Sequence, residues 1–101
     1  MSRMEKLQAL RKVEPDDVFL NFSLAMEHAK LEQWAESVAQ FDRTIALDPN
    51  YVAAYFHKGK TLVLSGDLVA ARSALTTGID RARTVGDAHA EGEMSEFLAS
   101  L

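Results

Sequence analysis

Several short groupings in this chain have the residue types of chemistry. Gly59-Lys60-Thr61 matches the tail of a phosphate-binding loop, in which backbone amides and a lysine surround a phosphate. The full pattern also asks for a glycine five residues before Gly59, where Ala54 stands, and for a strand, where helical periodicity runs instead. The triplet therefore reads as a small packing glycine followed by a surface lysine. His28, His57 and His89 lack the i, i+4 spacing that places two imidazoles on one metal ion. Glu91, Glu93 and Glu96 read as the solvated face of a helix. Asn21-Phe22-Ser23 fits a glycosylation sequon, but Met1 to Lys12 has no continuous apolar stretch, so no secretory leader is expected. The chain has no cysteine, which removes thiol nucleophiles, disulfides and thiolate metal sites. No serine, histidine and acid share a nucleophile context. The expectation is a protein with no catalytic residues, no cofactor and no metal.

Composition narrows the remaining classes. The 101 residues are 48% hydrophobic and 26% charged, with a net charge of −4. That length fits one domain with a small core, and the hydrophobic share is too high for a disordered chain. The acidic balance argues against nucleic acid or an anionic membrane surface as partner. No apolar run approaches the ~18–20 residues of a membrane span. A cytoplasmic domain is expected.

The elements that position these residues are set by punctuation. The two prolines, Pro15 and Pro49, stand 34 residues apart, each after an acid (Glu14, Asp48) and before a polar residue (Asp16, Asn50). Each ends one helix and precedes the cap of the next. Sliding the chain by 34 lays Ala25 on Gly59, Ser37 on Ala71, Thr44 on Gly78, Trp34 on Leu68, Phe41 on Leu75 and Ile45 on Ile79. Small positions stay small and large apolar ones stay large, which is a pattern of close helix packing. Sliding back puts Leu7, Leu10 and Val13 under Phe41, Thr44 and Leu47. Six helices are predicted, at about 2–13, 17–31, 34–47, 51–65, 68–84 and 87–100, with Gly66-Asp67 and Gly86-Asp87 as turn and cap. No segment alternates, so no strand is expected.

With Val18 opening one repeat, the motif positions are Asn21, Leu24, Ala25, His28, Ser37, Phe41, Thr44 and Pro49. With Val52 opening the next, they are Tyr55, Lys58, Gly59, Leu62, Ala71, Leu75, Gly78 and Arg83. These residues, the Leu47-Asp48-Pro49-Asn50-Tyr51 junction and the Gly66-Asp67 turn resemble the tetratricopeptide repeat family, as a short stand-alone protein of bacterial type. The departures are Asn21 for a large residue, Lys58 for leucine and Glu32-Gln33 for Gly-Asp. The resemblance covers about residues 4–85 and implies an all-α solenoid of antiparallel helix pairs in a right-handed superhelical stack. The expected layout is a half-repeat helix at 2–15, repeats at 18–51 and 52–85, and a capping helix at 87–101.

In that family the first helices of successive repeats line a concave groove. The resemblance places Phe19, Phe22, Ser23, Met26, Ala29 and Lys30 on it from the first repeat, and Ala53, Phe56, His57, Lys60, Val63 and Leu64 from the second. Phe19, Phe22, Ser23, Met26, Lys30, Phe56, His57, Lys60 and Val63 are the candidate binding residues. They suit an apolar helix or peptide of a partner protein. The family's chaperone-binding members grip a C-terminal carboxylate with Lys and Asn at the positions of Phe22 and Met26, and of Phe56 and Lys60, so that clamp is not expected. Alternatively, end helices of the same chain cover the groove. Self-assembly through the groove or the apolar end Phe97-Leu98-Ala99-Ser100-Leu101 is a second functional reading, and a small metal- or nucleotide-binding enzyme a third.

Overall fold

The computed structural model describes residues 1–101. Six helices follow one another: α1 (Arg3–Val13), α2 (Val18–Lys30), α3 (Trp34–Leu47), α4 (Val52–Ser65), α5 (Leu68–Val85) and α6 (Ala88–Ala99). Each packs against its sequence neighbours, and α2 and α6 also touch α4. The result is an all-α helical repeat stack measuring 39 × 29 × 18 Å. No helix is long and apolar enough to cross a membrane.

Local chemistry sets the helix ends. Ser2 and Glu5 form a reciprocal capping box at α1. Asp17, Asp67 and Asp87 each accept a backbone N–H three residues on, satisfying a donor the helix start leaves free. The α2, α4 and α5 C-termini close alike. Gln33 N–H donates to His28 C=O, Asp67 to Leu62 and Asp87 to Ala82, at 2.8–3.0 Å. Each such turn needs one residue at positive φ. Gly66 and Gly86 supply it at 90° and 78°, and Glu32 at 59°. Gln33, unlike the aspartates, makes no side-chain cap.

Packing depends on small residues at the crossings. Ala25, Ala54, Ala71 and Ala82 are fully buried, as are Phe41, Leu75 and Met94, which fill the space between helices. A Cβ added at Gly59 would lie 2.8 Å from the Leu75 side chain, and one at Gly78 2.6 Å from Tyr55 Cβ. Ser37 is fully buried and its Oγ–H donates to Ala25 C=O at 2.8 Å, joining α3 to α2. The Tyr55 hydroxyl donates to Pro49 C=O at 2.7 Å and ties the junction to α4.

The departures from the repeat pattern find physical accounts. Asn21, only 1% exposed, donates through Nδ2 to Pro15 and Asp17 C=O, so it satisfies the α1–α2 turn in place of a large apolar contact. Lys58 lines a cavity together with Val38, Ile45 and Leu62, and its Nζ reaches Asp42 Oδ1 at 2.6 Å. α5 has 18 residues against 14 in α3, so the 34-residue step does not carry on into α6.

Candidate functional site

Helices α2, α4 and α6 make one face of the stack, α4 touching both others. On α2, Phe19 is 68% exposed and Met26 37%. Both are open, and Lys30 beside them is exposed. Nothing in the chain covers Phe19, although an exposed phenylalanine is costly when left bare in water.

Phe22 behaves differently. It is half-buried, with its ring centroid 5.0 Å from Tyr51, 5.6 Å from His57 and 5.9 Å from Phe41. His57 also stacks on Phe41 at 6.4 Å. This cluster joins α2, α3 and α4 and forms the floor of the face. Burial pushes the His57 imidazole below its ordinary pKa, the Lys60 ammonium adds to that, and Glu93 opposes it. This environment favours the neutral form of His57.

Phe56 is half-buried between two neighbours. Phe97 of α6 meets it edge-on at 5.9 Å, and Lys60 Nζ lies 4.0 Å from its ring centroid. Between α4 and α6 a cavity of about 320 Å³ is lined by Ala53, Phe56, His57 and Lys60 on one wall and Asp87, His89, Ala90 and Glu93 on the other.

The candidate residues therefore fall into three groups. Phe19, Met26 and Lys30 are open. Phe22, Phe56, His57 and Lys60 are partly covered and shape the floor and the cavity. One expectation needs correction, and a second residue is partly turned inward. Ser23 is only 8% exposed, so its hydroxyl does not line an open surface. Val63 is half-buried against the Leu62, Ala71 and Ala74 cluster, its side chain spent on packing α4 to α5. Cover by end helices is partial: α6 covers Phe56, Phe22 is covered by the body of the stack, and Phe19 and Met26 stay open.

Sequence reasoning missed the acidic wall of the cavity. Asp87, which caps α6, and Glu93 within it supply that wall, from a helix expected only to cap the stack. The signal was the Met94, Phe97, Leu98, Leu101 stripe, which turns α6 inward and leaves Glu93 at the rim. The tempting chemical motifs are accounted for by helix packing. Gly59 and Thr61 sit inside α4, so this backbone is helical and cannot form a phosphate loop, and the Thr61 hydroxyl donates to His57 C=O at 2.8 Å. His28 faces Gln33 at 2.7 Å and His89 faces Glu93 at 3.2 Å, each on a different helix from His57.

No protein-family model matches the chain. It is 32% identical over 98 residues to a TPR (tetratricopeptide) repeat-containing protein of Pseudomonas aeruginosa, covering 97% of this chain and 93% of that one. It is also similar to a Bordetella parapertussis protein solved in solution, at 30% identity and a TM-score of 0.87, over 99% of this chain and 87% of the other. The crystal structure of PcrH in complex with the chaperone binding region of PopD shares the fold, with a TM-score of 0.89 at 17% identity over 96% of this chain and 74% of that one.

Proposed function

Since the chain belongs to the tetratricopeptide repeat family, we propose that it is a non-catalytic interaction module whose α2–α4–α6 face holds an apolar helix or peptide of a partner protein. The observation that carries this reading is the exposure of Phe19 and Met26 beside a partly open aromatic floor. Aromatic and methionine side chains give large contact area and adapt to their ligand. That the same fold holds a segment of PopD in PcrH supports a segment as the ligand. Phe22, Met26, Phe56 and Lys60 stand where a carboxylate clamp would need Lys and Asn, which favours an internal apolar segment over a free C-terminus.

The test uses Phe19→Lys with Met26→Lys. Both side chains are open, so the melting temperature stays within the small range of surface changes. Capture of a partner from the native cell, read by mass spectrometry against wild type, is expected to be lost. Retention of the same partner at wild-type yield by the folded double variant overturns the assignment.

A further inference from the structure

The two end helices carry opposite charge and open faces that match. Over Arg3–Val13, α1 has four cations (Arg3, Lys6, Arg11, Lys12) against one carboxylate (Glu5), a net +3. Over Ala88–Ala99, α6 has three carboxylates (Glu91, Glu93, Glu96) and no Lys or Arg; Glu91 pairs with Arg83 and Glu93 with His89, and Glu96 is left free.

The apolar surface agrees. On α1, Leu7 points into the stack, while Leu10 and Val13 are 57% and 79% exposed and share a flank with exposed Lys6. Thr44, the counterpart of Leu10 one repeat on, is fully buried, so this flank has the character of an interior surface with nothing laid on it. On α6, Gly92 is equally anomalous. The other two mid-helix glycines, Gly59 and Gly78, each lie within 3 Å of a neighbouring side chain at a crossing, measured from an added Cβ, but nothing lies within 4 Å of Gly92. An exposed glycine inside a helix costs about 0.5–1 kcal/mol relative to alanine. Within one copy that cost has no packing return.

We propose that α1 of one copy docks antiparallel on α6 of a second copy. In this register Lys6 faces Glu96, Leu10 crosses at Gly92, and Val13 meets Ala88. The spans agree at a rise of about 1.5 Å per residue, Lys6 to Val13 being about 10 Å and Glu96 to Ala88 about 12 Å. The Lys6 and Glu96 side chains are both exposed and neither is engaged in an ion pair within the chain. The contact joins two different surfaces, so it propagates from copy to copy or closes a ring. One helix-on-helix contact is smaller than the roughly 1,200–2,000 Å² of a stable interface, so association is weak and grows with concentration. It uses none of the open groove residues, and the Phe19→Lys, Met26→Lys variant is expected to associate as wild type does.

Sedimentation velocity on the full chain, from micromolar to millimolar at low salt, tests the proposal. Wild type is expected to show a mass that rises with concentration and falls back when salt screens the pairing. Lys6→Glu and Glu96→Lys are each expected to raise the dissociation constant roughly tenfold or more. An equimolar mixture of the two variants is expected to associate again, because each supplies the charge the other lacks. Gly92→Leu, placed in open space, is expected to keep or raise the melting temperature and to abolish association. A wild-type chain that stays monomeric throughout overturns the proposal. So does a mixture that fails to associate, or a folded Gly92→Leu chain that still does.

Discussion

Glu32 holds a backbone conformation that costs an L-residue about 1–2 kcal/mol. The next residue, Gln33, leaves the start of α3 without a side-chain cap. Glu32→Gly with Gln33→Asp copies the Gly66-Asp67 turn and is expected to raise unfolding stability by about 1–2 kcal/mol, measured by urea denaturation. His57 gives a prediction of opposite use. Its pKa is lower in the folded chain than the ordinary value near 6.5, so the unfolded chain binds the proton more readily. Its contribution is complete above that value and is lost as pH falls through the folded pKa. Lys60 and Glu93 are the charged groups that act on it. The melting temperature of wild type is therefore expected to drop more between pH 7.5 and pH 5 than that of His57→Phe. An equal drop in both removes the argument. Neither effect was legible in the sequence. Glu32 was visible as a departure, but its φ was not. His57 stood out only as a histidine at a groove position, because the rings around it come from three helices.

At the scale of the helix, three glycines form a graded series. Gly78→Ala places a methyl 2.6 Å from Tyr55 Cβ, an atom fixed to the backbone, and is expected to cost about 1–3 kcal/mol. Gly59→Ala meets the branched end of Leu75 at 2.8 Å, which can change rotamer, and costs less. Gly92→Ala meets nothing and stabilises by about 0.5–1 kcal/mol. Calorimetric melts of the three should fall in that order, with Gly78→Ala lowest. A Gly78→Ala chain as stable as wild type would contradict the close crossing of α4, α5 and α6. The small-on-small matches at a step of 34 already marked Gly59 and Gly78 as crossing points, and the prolines and Gly-Asp pairs marked helix ends to within a residue or two. That much is legible because it rests on local backbone limits and on volume. The α6 wall of the cavity is legible only in part, through the Met94, Phe97, Leu98, Leu101 stripe that marks an inward face. The longer α5 breaks the repeat step, so counting by 34 no longer aligns the polar residues of α6 with positions facing α4.

For the whole molecule, stability should fall from the middle of the stack outward. α4 is enclosed by α2, α3, α5 and α6, whereas α1 rests on α2 alone and buries only Leu7. Native-state hydrogen exchange at low protein concentration is expected to find α1 amides exchanging fastest, α6 next, and α4 slowest. Uniform protection across the six helices would mean a single cooperative unit. The same neighbour-to-neighbour packing bears on how the chain is made. Most of the packing joins sequence neighbours: α2 meets α3 across a short turn, and α4 meets α5 across another, while the α2–α4 and α4–α6 contacts reach one helix further. During translation each pair can close soon after it leaves the ribosome, so the nascent chain exposes little more than one unpaired helix at a time. A protein assembled in this order needs only a short-range search to reach its native state.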